Sequence, residues 1–134
     1  MWKRNRAIGT AVAGAILVTM SVATATPASA ETFGQYKQAC FDHGWENSPY
    51  NSNIQIPTEQ LAQGSYGDCV KYLQFLLDSK GWGFLDGFPF TLAIDGSFGQ
   101  LTSNAVFTFQ RGTNIQADSI VGPQTWTALG DSRD

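Results

Sequence analysis

Histidine is almost absent from this chain, and its scarcity limits the chemistry that the chain can perform. His43 is the single histidine among 134 residues. A hydrolytic zinc site usually needs about three protein ligands, and a Ser-His-Asp triad needs a histidine beside a reactive serine. The G-x-S-x-G, P-loop and G-x-G-x-x-G patterns are missing as well. We therefore expect no catalytic residue, no metal site and no cofactor, and we expect His43 to be solvated in its polar loop.

Positive charge is also scarce. The sequence has 8 Lys and Arg residues against 11 Asp and Glu residues. Three of the basic residues lie within the first six positions, ahead of a small-residue and apolar stretch that ends at Ala28-Ser29-Ala30. This order is typical of a secretory signal peptide over residues 1–30, with an uncleaved membrane anchor as the alternative. Cleavage would leave 5 basic and 11 acidic residues, a formal net charge of −6.

An acidic chain of this kind is a poor partner for nucleic acid or for an anionic membrane surface, because like charges repel. We therefore expect a secreted, extracellular protein with no nucleic-acid partner and no membrane contact once the signal is removed. Residues 31–134 are enough for one domain with a core of its own, and we expect a monomer.

Cysteine is limited to Cys40 and Cys69, both downstream of the predicted signal peptide. An exported chain with two cysteines most simply forms one disulfide. Two free thiols or half of a metal site are the alternatives, although no cluster of His and Cys accompanies the pair. The bridge would close a loop of about 30 residues and stabilise the fold by roughly 3–4 kcal/mol.

A twelve-residue block occurs twice. Residues 95–106 align without gaps on residues 118–129 and share Asp, Gly, Thr and Ala at the same offsets. Residues 64–67 give a shorter echo of the block. Each copy lies just before an apolar run with helical spacing, so the repeat predicts a helix-entry turn that is used three times.

The carboxylates of the repeat are the candidates for hydrolytic chemistry, because a glycosidase needs only two of them. Asp86, Asp95 and Asp118 could form such a pair. Asp95 and Asp118 occupy equivalent positions, which favours a structural role in which each accepts backbone N–H bonds in its turn. Gln74 and Gln110 also recur after two helical faces, and we expect their amides to bond to backbone.

Three amphipathic patterns predict an all-α fold, a small orthogonal three-helix bundle with irregular loops. The helices cover about residues 67–80, 97–112 and 122–130, and a glycine ends each. Ser65 with Asp68, and Ser97 with Gln100, fit capping boxes at the first two helix starts. Residues 31–60 are predicted to be a polar, loop-like extension with a short helix near 33–42, tethered by the disulfide. The folded domain would cover residues 61–134.

Aromatic residues are concentrated between the first two helices, over residues 82–90. Exposed rings there could stack on the apolar faces of sugars, or they could cover the open end of a small bundle. A further ring, Trp126, is predicted to lie in the core or in a groove wall. The rings of the insert are Trp82, Phe84, Phe88 and Phe90.

The ordered motifs of the chain resemble those of a known family. They are Gly64-Ser65 with Leu73-Gln74, Asp95-Gly96 with Phe98-Gly99, and Ile120-Val121-Gly122-Pro123 with Trp126. Together, over about residues 61–130, they resemble the peptidoglycan-binding-like modules, which are small three-helix cell-wall-binding domains. The aromatic insert, the extension and a serine at position 119, where the family mostly has glycine, depart from the common pattern.

The resemblance implies a ligand groove between the turn at residues 95–102 and the third helix. We predict a secreted, non-catalytic protein that binds peptidoglycan or its fragments and is associated with the cell wall. The alternatives are a secreted protein-recognition module, acting as partner or inhibitor of an exported enzyme, and a small cell-wall hydrolase. The candidate ligand-binding residues are Asp95, Ser97, Phe98, Asn104, Gln124, Trp126 and Thr127, with Trp82 and Phe84 from the insert.

Overall fold

The computed structural model describes residues 32–82, 84–85, 88–89 and 91–131. The predicted signal peptide, residues 1–30, lies outside these ranges. Within them, no helix has both the length and the apolar character that a membrane span requires.

The described residues form four helices and two short antiparallel hairpins. The first hairpin pairs Trp45 with Pro57, and the second pairs Phe84 with Pro89. The chain is therefore mostly helical, but the prediction of an all-α fold is wrong in part because of these strands. In order, the elements are α1 (Phe33–Phe41), β1 (Trp45–Asn47), β2 (Gln55–Pro57), α2 (Asp68–Ser79), β3 (Phe84–Leu85), β4 (Phe88–Pro89), α3 (Gln100–Gly112) and α4 (Pro123–Asp131).

The three predicted helices are present as α2, α3 and α4, within a few residues of the expected bounds. Each buries the apolar face whose spacing predicted it, since residues three and four apart share one side of a helix. Their fully buried side chains include Val70, Leu73 and Leu77 on α2, Val106 and Phe109 on α3, and Leu129 on α4.

The predicted capping boxes at α2 and α3 are wrong. The N-cap residues are Gly67 and Gly99, and neither helix start has a side-chain cap. The Ser65 hydroxyl instead accepts a hydrogen bond from the backbone N–H of Ala62 at 3.0 Å. A capping box does occur at α1, between Thr32 and Gln35. Gly67 has φ +122°, a backbone conformation that favours glycine. The N-cap position of α2 therefore needs a glycine, which has no side chain to cap the helix.

The extension is not the polar loop that composition predicted. It holds α1 and the β1–β2 hairpin, and Ile54 and Ile56 bury their side chains in the core. α1 packs against α2, and β2 packs against α4, so residues 32–60 belong to the same compact unit as the helices. Ile54, just before β2, and Ile56, within β2, supply the apolar contribution of the extension.

The predicted disulfide between Cys40 and Cys69 is present, and both cysteines are buried. It joins the last turn of α1 to the first turn of α2. Trp126 lies in the same core, where its ring stacks on Tyr72 at 5.8 Å between centroids. The Trp126 indole Nε1 donates a hydrogen bond to the Glu59 carbonyl at 2.8 Å, so its polar atom is satisfied.

Candidate functional site

The first repeated turn is organised by a buried glutamine from α2. The Gln74 side-chain Nε2 lies 3.0 Å from each of three acceptors: the Asp95 carboxylate, the Ser97 carbonyl and the Thr102 hydroxyl. The Gln74 Oε1 accepts the backbone N–H of Gly96 at 2.9 Å. One amide therefore bonds to both ends of the turn, which fixes its shape without a helix cap.

The second turn has the same arrangement around Gln110 of α3. The Gln110 Nε2 bonds to the Asp118 carboxylate at 3.2 Å, the Ile120 carbonyl at 2.9 Å and the Thr125 hydroxyl at 3.0 Å. Its Oε1 accepts the N–H groups of Asp118 and Ser119 at 3.0 and 2.8 Å. Each helix thus supplies the glutamine that holds the turn leading into the next helix.

These bonds explain why Asp and Thr recur in the repeat, and they confirm the structural role predicted for both glutamines. Asp95 also accepts the backbone N–H of Ser97 at 2.9 Å, and Asp118 accepts that of Ile120 at the same distance. The Ser97 N–H, followed by the Gln74 amide, lowers the pKa of Asp95 below its ordinary value. Asp95 is therefore an ionised acceptor at neutral pH, which is the opposite of what a general acid needs.

The serine at position 119 concerns turn geometry. Ser119 has φ +61° and Gly96, its counterpart in the first turn, has φ +77°. Both residues are left-handed, a conformation that costs a non-glycine residue roughly 1–2 kcal/mol. The Ser119 hydroxyl donates a hydrogen bond to the Ser103 carbonyl at 3.2 Å, which offsets part of that cost.

A connecting segment, residues 61–67, joins the two turns. Leu61 and Val121 exchange backbone hydrogen bonds at 3.0 and 2.8 Å, and Phe98 does the same with Gly64 and Ser65 at 2.9 Å. The two turns therefore flank one extended stretch of chain. We name the surface formed by residues 61–67, 95–99 and 118–122 the paired-turn surface.

Tyr66 is the prominent side chain of the paired-turn surface, with 81% of its area exposed. It lies opposite Ser97 in an antiparallel bridge, and residues directly opposed in such a bridge place their side chains on one face. Ser97 is exposed too, and Ile120 of the second turn is 39% exposed. The surface thus carries an open aromatic ring beside a hydroxyl, on backbone that is hydrogen-bonded on both sides.

A small cavity of about 270 Å³ opens beside the first turn. Asp95 and Ser97 line it, so the structure brings these two predicted residues together. Leu92 forms part of its apolar wall and is buried. The other lining residues are Gln74, Ala93, Gly99, Gln100, Leu101 and Thr102.

Three of the predicted ligand-binding residues are buried, and for Trp126 burial in the core is one of the two predicted positions. Phe98 and Trp126 are 1% and 2% exposed and form part of the hydrophobic core. Thr127 is also buried, and its hydroxyl pairs with that of Ser48 in the extension and donates to the Pro123 carbonyl. Packing inside a small core leaves these side chains no exposed face. Their roles are therefore structural: they position the turns and anchor the extension.

The remaining candidates are dispersed. Asn104 is half-buried on α3 and accepts a hydrogen bond from Gln100 at 2.9 Å, while Gln124 is exposed in the first turn of α4. Trp82 is half-buried with its ring edge-on to Phe109 at 5.5 Å, so it covers the core. Phe84 lies in β3, and its side chain lies outside the described part of the structure, as do those of Phe88 and Phe90.

The loop position of His43 predicts a solvated side chain, but its ring contacts two carboxylates. Its Nε2 lies 3.0 Å from the Asp68 carboxylate, and its Nδ1 lies 3.8 Å from that of Glu59. The hydrogen bond with Asp68, and then the charges of Glu59, Asp68 and Asp42, raise the pKa of His43 above 6.5, although desolvation opposes them. In the described ranges, no group of three or more His, Cys, Asp and Glu residues could hold a metal ion.

This contact predicts a pH dependence of folding. A histidine pKa that is raised in the folded chain adds stability at pH values below 6.5, and this stability is lost as pH rises through the folded-state value. We expect the urea midpoint to fall between pH 5.5 and pH 8, and we expect His43→Gln to reduce that difference. Urea titrations of both chains at the two pH values would measure it. An unchanged difference in the variant would assign it to other groups.

The arrangement as a whole defines a class: a helical module in which glutamines of two successive helices each hold the turn that follows. Residues 67–129 match the family model described as a putative peptidoglycan binding domain, and this part of the chain belongs to that family. The predicted resemblance is confirmed. The match does not extend over α1 or the β1–β2 hairpin.

Related proteins carry this region as one part of a longer chain. A zinc D-Ala-D-Ala carboxypeptidase of Streptomyces albus G is 38% identical over 77 residues, which are 55% of this chain and 27% of that protein. The N-acetylmuramoyl-L-alanine amidase CwlM of Mycobacterium tuberculosis is 39% identical over 84 residues, 63% of this chain and 19% of that protein.

Among solved structures, a peptidoglycan-binding protein from Clostridioides difficile, in complex with glutamine hydroxamate, is 36% identical with a TM-score of 0.47. The similarity covers 58% of this chain and 46% of that one.

Proposed function

We propose that this chain is a secreted, non-catalytic protein that binds peptidoglycan through the paired-turn surface and is associated with the bacterial cell wall. The observation that carries the proposal is Tyr66, which is 81% exposed on a backbone held by the two glutamine-bonded turns. The family match of residues 67–129 supports the polymer, and the signal-like sequence of residues 1–30 supports export.

The chemistry of this surface suits a sugar polymer. The faces of sugar rings are apolar and stack on aromatic side chains, while their rims carry hydroxyl and amide groups. Tyr66 offers the ring, Ser97 a hydroxyl beside it, and Asp95 a carboxylate that remains ionised. The rigid backbone around Tyr66 reduces the conformational entropy lost on binding, which favours a small contact.

The described side chains support a role without catalysis. Asp95 and Asp118, the carboxylates of the repeat, both accept backbone and amide hydrogen bonds that define the turns. The hydrogen bonds to Asp95 lower its pKa, whereas a glycosidase acid needs a raised one. The sequence offers only His43 as a histidine base, and its ring contacts the carboxylates of Glu59 and Asp68.

Removal of the Tyr66 ring should weaken wall binding selectively. We expect Tyr66→Ala to lower the affinity for purified insoluble sacculi by about tenfold to thirtyfold, as truncation of a central aromatic contact does. The matched control is Tyr50→Ala, which removes a tyrosine that is 63% exposed on the β1–β2 loop, and it should bind within twofold of the parent. Sedimentation of sacculi with increasing protein gives both affinities.

Equal binding by the two variants would remove the paired-turn surface from the mechanism. No binding by the parent at low salt would contradict wall binding itself.

The second candidate function is protein recognition. It is favoured by the exposed strand β1, in which Trp45 is 51% exposed and which pairs on one side with β2. A stoichiometric protein partner from culture fluid, lost on Trp45→Ala and retained on Tyr66→Ala, would support it.

A further inference from the structure

The extension has a groove of its own, between one side of α1 and the β1–β2 hairpin. Its volume is about 490 Å³, within the range of pockets that hold small ligands. The α1 wall comes from positions 34, 37, 38, 41 and 42, which share one side of a helix. All lining residues lie between positions 34 and 55, whereas the family match begins at residue 67. A ligand in this groove would therefore contact the extension and none of the residues in the family match.

Trp45 forms the hairpin side of the groove. It is 51% exposed, whereas Trp126 is 2% exposed and lies in the core. In the antiparallel register Trp45 lies opposite Pro57, and Asn47 lies opposite Gln55. Because side chains alternate along a strand, Trp45 and Gln55 share one face of the hairpin, and both line the groove. An open indole on a paired strand thus offers a flat apolar platform beside an amide that can donate and accept hydrogen bonds.

The α1 wall adds polar groups in a fixed arrangement. The Gln38 Nε2 donates a hydrogen bond to the Asp42 carboxylate at 2.7 Å, which orients the amide. Among the described residues, no group bonds to the Gln38 side-chain oxygen or to the side-chain amide of Gln55. Lys37 lies over the Phe41 ring at 5.1 Å and covers that face of the ring. The groove therefore presents one open ring, that of the hairpin, and two amides with capacity for further hydrogen bonds.

Gly34 lines the groove without filling it. It lies in the first turn of α1 with helical backbone, where no positive φ requires glycine. Glycine lowers the stability of a helix relative to alanine. Outside the backbone of its own helix, a methyl group here would meet only the Thr32 Oγ1 at 3.8 Å, which is an ordinary contact. Neither conformation nor packing calls for glycine at this position, so its remaining consequence is the space that it leaves in the groove.

Both walls of the groove are held in place. α1 begins at a capping box, and the Cys40–Cys69 disulfide joins its last turn to α2. β1 is paired with β2, and β2 is anchored by the buried side chain of Ile56. Walls that are already ordered lose little conformational entropy on binding, which favours a ligand that makes few strong contacts.

We propose that this groove binds a neutral sugar chain that carries N-acetyl groups. One sugar ring stacks on Trp45, and the amides of Gln38 and Gln55 bond to hydroxyl and acetamide groups at the rim of the sugar. The space over Gly34 accommodates an acetamide group. The inference rests on the proposed function for the source of the chain: the wall polymer would contact this protein at two separate surfaces. Two linked contacts raise the overall affinity above that of either one.

The charge of the groove agrees with a neutral ligand. Lys37 and Asp42 carry opposite charges, so the lining has no net charge that would favour an ionic ligand. A protein strand added at the other edge of β1 would bond to its backbone and would leave the amides of Gln38 and Gln55 unused. A sugar with an apolar face and a polar rim uses both the ring and the amides.

The test uses the disulfide-bonded chain from Glu31 to Asp134, which contains the compact unit of residues 32–134, and two soluble tetrasaccharides. One is tetra-N-acetylchitotetraose, and the other is cellotetraose, which has the same linkage and no N-acetyl groups. Backbone amide NMR signals report the groove through residues 34–45 and the paired-turn surface through residues 61–67. Each surface thus gives its own affinity in one titration. At the groove we expect the N-acetylated chain to bind at least about tenfold more tightly, because the amides lack their partners with cellotetraose.

Two variants disable the groove in opposite ways. Trp45→Ala removes the platform and should weaken binding at the groove at least about tenfold. Gly34→Gln fills the space with a good helix former, so it should weaken binding by about the same factor while the melting temperature stays unchanged or rises. Gly34→Ala is the matched control, because its methyl group has room, and it should bind within about threefold of the parent. Tyr66→Ala should leave the affinity at the groove within about twofold.

Glycan strands freed from their peptides by an amidase identify the source of the sugar chain. Binding of these strands at the groove as tightly as the N-acetylated tetrasaccharide would assign the groove to the bacterial wall. Binding of the tetrasaccharide alone would assign it to an unsubstituted, chitin-like chain.

Three results would overturn the proposal: no shift of the groove signals with any saccharide, equal affinity for the two tetrasaccharides, or unchanged affinity in both Trp45→Ala and Gly34→Gln. A protein partner that is lost on Trp45→Ala, with no saccharide bound at the groove, would replace the sugar chain with protein recognition. None of these results concerns Tyr66, so a loss of sacculus binding in Tyr66→Ala would still support the paired-turn surface.

Discussion

Replacement of Cys40 and Cys69 by alanine is expected to destabilise the protein by about 3–4 kcal/mol and to lower its melting temperature by roughly 10–20 °C. The two residues are 29 positions apart, and their bond restricts the unfolded chain by closing that loop. The bond is also buried, joins α1 to α2 and lies between packed helices. Its removal therefore leaves a small gap in the core as well as a freer unfolded state.

The loss should be uneven along the chain. α2 to α4 keep their glutamine-held turns, whereas α1 and the β1–β2 hairpin are held by packing and by the Ser48–Thr127 pair. We expect hydrogen exchange to increase most over residues 32–60 and least over α3.

Thermal melting of the double variant, with and without reducing agent, measures the effect. The parent should melt lower when reduced, and the double variant should not respond to the reductant. If the parent melts at the same temperature in both conditions, while its thiols are shown to be free, the bridge contributes nothing to stability. Replacement of both cysteines together avoids an unpaired thiol, which would confuse the measurement.

The helices and the disulfide could be predicted because their signals are local or chemically unique. Val70, Leu73 and Leu77 follow helical spacing, and two cysteines allow a single pairing. The extension could not be predicted in the same way. Its apolar contribution is confined to a few residues such as Ile54 and Ile56, and their partners lie on helices that are far away in sequence.

The sequence predicts the residues that hold the turns of the candidate site. It does not predict which side chains are exposed on the surface of that site. Asp95 and Asp118 have structural roles that the repeat indicated, because two copies of one pattern imply one function. The exposed position of Tyr66 is not predicted, although Tyr66 lies within residues 64–67, the short partial copy of the repeated block. Phe98 is predicted to bind ligand, but whether an aromatic ring is open or buried depends on neighbours that sequence order does not give. The short echo was the available signal for Tyr66.

The second large effect is expected at Gln110. Its amide bonds to five groups of the second turn, and Gln110→Glu replaces the donating Nε2 with a carboxylate oxygen. That oxygen would face the Asp118 carboxylate and the Ile120 carbonyl, which lie 3.2 and 2.9 Å from the present nitrogen. We expect a loss of about 4 kcal/mol at pH 7, from a buried charge, lost hydrogen bonds and like-charge repulsion.

The pH dependence of this variant gives its cause. The introduced carboxyl should have a raised pKa in the folded chain, so its protonation restores stability as pH falls towards 5. Gln124→Glu is the matched control, because it makes the same change at an exposed position in the first turn of α4. There, a carboxylate near a helix N-terminus should alter stability by less than about 0.5 kcal/mol, and in the favourable direction.

Urea unfolding at pH 5 and pH 8 compares the two variants directly. Gln110→Ala serves where Gln110→Glu does not fold, and it should lose about 3 kcal/mol without the pH dependence. If Gln110→Glu unfolds at the same urea concentration as Gln124→Glu, the turn is held by its backbone alone. If instead the loss of stability is large and is recovered at low pH, the hydrogen bonds of Gln110 to the repeated Asp and Thr are what make the turn rigid. Gln74, which bonds to the equivalent carboxylate, carbonyl and hydroxyl of the first turn, would then hold the surface that carries Tyr66.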